Sequence, residues 1–72
     1  MSRTVAIQTN TISLGAFLKW AGAAATGGVA KQLIEQGGVI VNGTVERHRG
    51  RQLRDGDRVR LRADEFVVRY QP

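Results

Sequence analysis

Arginine is the residue type with the clearest chemical potential in this sequence, and most of its arginines lie close together. Between positions 47 and 62 the chain carries Arg47, Arg49, Arg51, Arg54, Arg58, Arg60 and Arg62. Arginine presents a planar fork of N–H donors that fits a phosphate and can stack on a base, whereas lysine would serve solubility equally well. The cluster favours contact with a phosphate-rich partner, and the alternative is a solvated basic face.

The overall charge points in the same direction. Eleven Lys and Arg residues against six Asp and Glu give a formal charge of +5, and the sequence pI is about 11.2. A polyanion is the natural partner of such a chain, and nucleic acid is the first candidate.

Residues that could perform catalysis or hold a metal do not form a recognisable set. His48 is the single histidine of a chain without cysteine, and no carboxylate stands at triad spacing from it, so it is typical of a solvated loop residue. Asp55 and Asp57 flank a glycine without the other calcium-loop ligands, which favours a turn. The segment 22–28 is glycine-rich but lacks the Gly-Lys-Ser/Thr ending of a phosphate loop. We expect no enzyme activity, no cofactor and no metal.

Two short helices are predicted to position the basic residues. The apolar residues of the first repeat at helical spacing: Leu14, Phe17, Leu18 and Ala21. Ser13 can cap this helix, predicted over 14–21, and Thr26 can cap a second one over 27–36. Glycines follow both helices, where a left-handed residue can end them. Gly27 and Gly28 cost about 1 kcal/mol each relative to alanine, so either that turn frays or some group approaches its backbone closely.

Several short strands are predicted around these helices. Their ranges are 4–8, 39–41, 44–47, 58–62 and 65–70. Asn42-Gly43 is typical of a type I′ hairpin turn, and Asp55-Gly56 indicates a second tight turn. Residues 48–52 are interpreted as a loop or an irregular strand. The first strand is expected at a sheet edge, and alternation in the fourth places Arg58, Arg60 and Arg62 on one face.

These elements indicate one α+β domain over residues 1–72, because a chain of this length holds one thin core at most. The hairpin is expected to pack under both helices. The predicted core is Leu14, Phe17, Leu18, Leu33, Ile34, Val39, Val41, Val59 and Leu61. No signal peptide and no apolar run of about 20 residues is present, so we expect a cytoplasmic protein without a membrane segment, and a monomer.

Three motifs, in order, resemble a known family. They are Ala30-Lys31-Gln32-Leu33-Ile34, then Gly37-Gly38-Val39-Ile40-Val41-Asn42-Gly43, and finally Leu53-Arg54-Asp55-Gly56-Asp57. Together they are similar to the signature of the RNA-binding domain named after small-subunit ribosomal protein S4, and the resemblance covers about residues 13–61. It implies the alpha-L motif: two helices on a small, strongly bent antiparallel sheet, with both helix faces and the hairpin forming the RNA surface.

The family resemblance also implies which residues contact RNA. Lys31 and Gln32 match the family's basic residue and glutamine on the second helix. The chain departs from the family at Gly27, where many members carry arginine, and at Gly38, where many carry histidine. It also has Ser13 and Gly15 where the family often has arginine and aspartate. Because of these departures, we expect the hairpin and the loop after it to make most of the RNA contacts.

Arg47, Arg49 and Arg51 are therefore expected to grip RNA together, and replacing all three is expected to leave the fold intact. The full set of expected RNA contacts is Lys19, Thr26, Lys31, Gln32, Thr44, Arg47, His48, Arg49, Arg51 and Arg54. Lys31 could instead form a surface ion pair with Glu35. Trp20 is either a platform for base stacking or the edge of the core.

The predicted function is non-catalytic binding of structured RNA, above all ribosomal RNA, in translation or in ribosome assembly or rescue, with the ribosome as a possible wider partner. Two alternatives stay open. Two short helices joined by a tight turn imitate a DNA-binding helix-turn-helix, although a helix that begins Gly27-Gly28-Val29 has few side chains to read bases. A protein-interaction adaptor with an incidental basic face is the second.

Overall fold

Two helices and seven strands make up the computed structural model, which describes residues 2–72. In chain order the elements are β1 (Ser2–Ile7), β2 (Ile12–Ser13), α1 (Leu14–Trp20), α2 (Gly27–Glu35), β3 (Val39–Val41), β4 (Thr44–Val45), β5 (Gln52–Leu53), β6 (Arg58–Leu61) and β7 (Asp64–Tyr70). The α+β class predicted from the sequence is confirmed.

Local capping signals explain where both helices begin and end. The Ser13 hydroxyl accepts a hydrogen bond from the Ala16 N–H at 3.3 Å, and the Thr26 hydroxyl accepts one from the Val29 N–H at 3.1 Å. Gly22 and Gly37 follow the helices with φ of 78° and 80°. Each closes a Schellman motif, as when the Gly38 N–H donates to the Leu33 carbonyl at 3.0 Å. The helices end one residue earlier than predicted.

The main sheet has five strands in the order β1-β7-β6-β3-β4, and β2 pairs separately with β5. The expectation of an antiparallel sheet is wrong for one pair, because β1 runs parallel to β7. Two strands joined by a tight hairpin must be antiparallel. Since β1 and β7 are connected through the rest of the domain, they can be parallel. The predicted edge position of β1 is confirmed.

The predicted turn of the first hairpin is confirmed, whereas the strand predicted over residues 58–62 ends before its last residue in a turn that was not predicted. Asn42 and Gly43 have φ of 51° and 85°, as a type I′ turn requires. The returning strand β4 is shorter than predicted and ends at Val45. Strand β6 ends at Leu61, so Arg62 begins a two-residue turn instead of extending the strand face.

The core lies between the inner face of the main sheet and the two helices. Its buried apolar residues are Ile7, Leu14, Phe17, Leu18, Ala24, Ala30, Ile34, Val39, Val41, Leu53, Val59, Leu61, Phe66 and Val68. Phe17 and Phe66 meet edge to face with ring centroids 6.3 Å apart. Leu33, predicted to be in the core, is only partly buried and packs at its margin, because α2 turns Ala30 and Ile34 inward.

Candidate functional site

The arginine-bearing loop, residues 46–51, is fixed to the start of α1 by backbone hydrogen bonds. The Leu14 N–H donates to the Arg51 carbonyl at 2.8 Å, and the Gly15 N–H donates to the Arg49 carbonyl at 3.0 Å. Both donors lie in the first turn of α1, where N–H groups have no partner within the helix. The loop thereby holds its arginines beside α1 although it is neither helix nor strand.

Gly15 allows this close approach. A Cβ at residue 15 would lie 3.4 Å from Arg49 Cβ and 3.6 Å from the Arg49 carbonyl oxygen. An alanine at this position would touch the loop at ordinary van der Waals distance. The glycine that departs from the family pattern in α1 is therefore matched to the loop that crosses it.

Glu46 holds the loop together from within. Its carboxylate accepts hydrogen bonds from Arg51 Nη1 at 2.8 Å and from the His48 N–H at 3.3 Å, and it lies 3.1 Å from His48 Nδ1. The Arg51 hydrogen bond, followed by that of His48, lowers the pKa of Glu46 to about 2. Glu46 is thus ionised at neutral pH, and its side chain, only 16% exposed, fixes Arg51 in place.

Arg47 connects the arginine-bearing loop to the end of α2. Its Nη1 donates to the carbonyl of Glu35, the last residue of α2, at 3.1 Å, and a cation is favourable at that end of a helix. Arg47 and Arg51 therefore both hold other parts of the domain. Replacing Arg47, Arg49 and Arg51 together would remove both contacts, so we now expect the triple variant to be less stable than the wild-type protein.

Arg49 and Lys19 differ from Arg47 and Arg51, whose side chains have hydrogen-bond partners. The side chains of Arg49 and Lys19 are exposed, and within residues 2–72 neither makes a hydrogen bond or an ion pair. They line one groove of about 320 Å³, called here the Lys19–Arg49 groove, whose walls are Ser13, Gly15, Ala16, Lys19, Gly27, Arg49 and Gly50. The fold thus places two uncompensated cations, distant in sequence, on the same concave surface.

The floor of this groove includes the first turn of α2. No atom of the described chain comes within 4 Å of a Cβ built on Gly27. The sequence analysis left two alternatives for this turn: it frays, or some group lies close to its backbone. The structure shows neither, because the helical turn is intact and the space beside it is open. A helix N-terminus favours anions, so the groove combines two cations that have no partner among residues 2–72 with a backbone that suits an anionic oxygen group.

The other expected contact residues lie outside this groove. Thr26 caps α2. Lys31, Gln32 and Thr44 are exposed, and in the described part of the chain their side chains make no hydrogen bond or ion pair. The alternative pairing of Lys31 with Glu35 is therefore not formed.

Two further expected contacts are His48, within the arginine-bearing loop, and Arg54, three residues after it. The His48 side chain is 88% exposed. Arg54 is exposed at the turn before β6, where its backbone N–H donates to Asp57 Oδ2 at 2.8 Å. Neither residue lines the Lys19–Arg49 groove.

The arginines of the outer sheet face are engaged with neighbours. Arg58 Nη1 lies 3.1 Å from Glu65 Oε1, and Arg60 Nε donates to the Arg62 carbonyl at 3.2 Å. The Arg62 side chain, at the turn, makes no such contact with residues 2–72. This face is therefore less available to a polyanion than its arginine count indicates.

Trp20 is exposed and yet held in place. The residue is 57% exposed, and its indole N–H donates to the Ala6 carbonyl at 2.7 Å. The ring fits the interpretation as a core edge poorly, because more than half of its surface faces solvent.

Sequence reasoning missed Ser13, Gly15, Ala16 and Gly50 as walls of the groove. A glycine inside a predicted helix was the available signal for Gly15, since such a residue costs stability unless something approaches its backbone. Nothing local marks Ser13 or Gly50, because their place depends on how the loop docks on α1.

Comparison with known proteins adds two findings. A family model described as "S4 domain" matches residues 5–69. The chain is 39% identical over 61 residues to a Bacillus subtilis (strain 168) protein named "Probable ribosome maturation protein RlbA". The aligned region covers 85% of this chain and 86% of that protein.

Within residues 2–72 neither helix is long and apolar enough to cross a membrane.

Proposed function

Because the chain belongs to the S4 domain family, we propose that it binds structured RNA, above all ribosomal RNA, without catalysing a reaction on it. The proposal extends to ribosome maturation in the cytoplasm, the process in the name of the Bacillus subtilis relative. Lys19 and Arg49 carry the principal phosphate contacts, and the other exposed basic residues contribute long-range attraction.

The Lys19–Arg49 groove is the observation that carries this proposal. A cation that already has an ion-pair partner must give it up to bind phosphate, whereas Lys19 and Arg49 have none among the described residues. The loop that presents Arg49 is anchored by two backbone hydrogen bonds to α1. Little backbone entropy is then lost when the groove binds a phosphate.

Recognition of folded RNA suits a rigid surface of this kind. A-form RNA hides its base edges in a deep, narrow groove, so proteins read its shape, its phosphates and its 2′-hydroxyls. A helix-turn-helix contact with DNA would require base-reading side chains on α2, and that helix begins Gly27-Gly28-Val29. RNA is therefore the preferred nucleic acid.

The decisive experiment compares three single variants in titrations of a ribosomal RNA fragment at several salt concentrations. Lys19→Ala and Arg49→Ala should each weaken binding by about 1–3 kcal/mol, and each should flatten the log–log salt dependence by somewhat under one unit. Arg62→Ala removes the same charge outside the groove and should change the affinity less. Thermal unfolding should be unchanged in all three, since none of these side chains has a hydrogen-bond partner within residues 2–72.

Equal losses in the three variants would leave a diffuse basic surface in place of a localised site. Crosslinking in cells, followed by sequencing of the attached nucleic acid, tests the class of partner. Ribosomal RNA fragments are the expected product, and genomic DNA would reverse the proposal. Failure to recover nucleic acid after washing at moderate salt would favour a protein-interaction adaptor.

A further inference from the structure

Trp20 combines exposure with a fixed orientation, which the RNA-phosphate contacts described above leave unexplained. The residue is 57% exposed, and the hydrogen bond from its indole N–H to the Ala6 carbonyl ties the end of α1 to β1. The polar edge of the ring is therefore already used. What remains for a partner is the face of the indole, and a ring face recognises another flat ring by stacking.

The surface beside Trp20 has apolar walls and one cation. A shallow hollow of about 420 Å³ beside it is lined by Ile12, Ala16, Lys19 and Trp20. Ala16 and Lys19 also line the Lys19–Arg49 groove. The two concave surfaces are therefore adjacent, and Lys19 lines both.

A nucleotide matches this arrangement better than a protein side chain does, because it carries a flat aromatic ring and an anionic phosphate a short distance apart. Every base has a face that can stack on an aromatic ring, whatever the sequence. In a continuous A-form duplex that face is covered by neighbouring base pairs. The base that reaches Trp20 must therefore be unpaired.

We propose that Trp20 stacks on the base of an unpaired nucleotide whose phosphate binds Lys19, so that the protein prefers RNA with a bulged or looped-out residue over a continuous duplex. This proposal rests on the proposed function, because it presupposes that the Lys19–Arg49 groove holds RNA. It adds to that function a structural preference among RNAs.

The single tryptophan of the chain makes stacking directly observable. Two RNA hairpins serve as probes, identical except that one carries a single unpaired adenosine in its stem. At low salt the bulged hairpin should quench the Trp20 emission and bind more tightly, while the paired hairpin should bind with little quenching. Equal affinities without quenching in either complex would overturn the stacking and leave the proposed function standing.

Two variants separate stacking from a structural role of Trp20. Trp20→Ala should bind the bulged hairpin roughly 5- to 150-fold more weakly, the range that loss of one stacked base gives, and should bind the paired hairpin normally. Trp20→Phe also loses the hydrogen bond to Ala6 but keeps an aromatic face, so it should retain most of the preference. Equal losses in both variants would show that Trp20 only supports the fold and would overturn the proposal.

Failure of the proposed function has a different signature. If neither hairpin binds the wild-type protein even at low salt, RNA binding itself is refuted and the stacking falls with it. If Trp20→Ala fails to fold, the quenching of the wild-type protein and the behaviour of Trp20→Phe still decide between the outcomes.

Discussion

The guanidinium group of Arg47 occupies the space that a side chain at residue 37 would need. A Cβ built on Gly37 would lie 2.8 Å from Arg47 Nη2 and 2.9 Å from Nη1. The same guanidinium donates to the Glu35 carbonyl at 3.1 Å. Glycine is therefore favoured at residue 37 for two reasons. It adopts the left-handed conformation that ends α2, and it leaves room for Arg47, which covers the helix end.

Gly37→Ala should lower the free energy of unfolding for both reasons. Its φ of 80° is a left-handed conformation that costs an L-residue about 1–2 kcal/mol, and the new methyl group displaces Arg47. Gly22→Ala is the matched control, since its φ is 78° and no described atom lies within 4 Å of the added Cβ. Denaturant unfolding should show the larger loss for Gly37→Ala.

A double-mutant cycle tests the coupling between these two residues. Arg47→Ala should destabilise the wild-type protein by roughly 0.5–1.5 kcal/mol through loss of its hydrogen bond to the helix end. The same change should have a smaller effect in the Gly37→Ala background, because the methyl group has already displaced the guanidinium. Additive effects would show that Arg47 does not depend on the space above Gly37.

Glu46 should make the stability of the protein sensitive to acid. Its pKa in the folded protein is about 2, against an ordinary value of 4.5. A carboxyl group whose pKa is depressed by folding stabilises the folded state fully above its unfolded pKa, and this contribution is lost as the pH falls from about 4.5 towards 2. Thermal unfolding midpoints of the wild-type protein and of Glu46→Gln should therefore differ most near neutral pH and converge across that window.

The convergence identifies the Glu46 contribution among those of all carboxyl groups. Glu46→Gln keeps the size of the side chain and removes the charge that holds Arg51. A difference between the two proteins that stays constant from neutral pH to about pH 2 would contradict the assignment of the depressed pKa to this contact.

Features governed by local chemistry could be predicted from the sequence. The caps at Ser13 and Thr26 and the Asn42-Gly43 turn depend on residue types within a few positions of one another. The edge position of β1 followed from its short alternating pattern. These signals suffice for the element types because each element's ends are fixed by its own residues.

The roles of individual arginines could not be read in the same way. Arg47, Arg49 and Arg51 are the same residue type at alternate positions, yet Arg47 contacts the end of α2, Arg51 contacts Glu46, and Arg49 faces the groove. The contacts that separate them come from docking of the loop on α1 through backbone carbonyl groups. Every residue carries such a group, so no residue pattern marks the docking.

The core offers a comparison between adjacent residues of α2. Ile34 is fully buried, while Leu33 packs only at the margin of the core. Ile34→Ala should lower the free energy of unfolding by about 2–5 kcal/mol, a large part of the stability of so small a domain, and Leu33→Ala should cost clearly less. Chemical denaturation of both variants tests this order. A greater loss in Leu33→Ala would support the core predicted from the sequence over the one in the structure.

We expect the protein to be more stable with glycine than with arginine at residue 62. With Asn42, it is one of two described non-glycine residues with positive φ, at 58°, and it begins the two-residue turn between β6 and β7. Glycine adopts such a conformation without steric cost. Arg62→Gly should therefore raise the free energy of unfolding by about 0.5–1 kcal/mol, net of the extra freedom that glycine gives the unfolded chain.

The neighbouring residue supplies the control for this last variant. Ala63 has no positive φ, so Ala63→Gly relieves no backbone strain, adds unfolded-state entropy and should lower the free energy of unfolding by a similar amount. Opposite signs at adjacent positions of one turn are the expected result in thermal and denaturant unfolding. Because the Arg62 side chain lies outside the Lys19–Arg49 groove, Arg62→Gly should also bind RNA nearly as well as the wild-type protein. A destabilised Arg62→Gly would mean that the arginine makes a contact at this turn that outweighs its backbone strain.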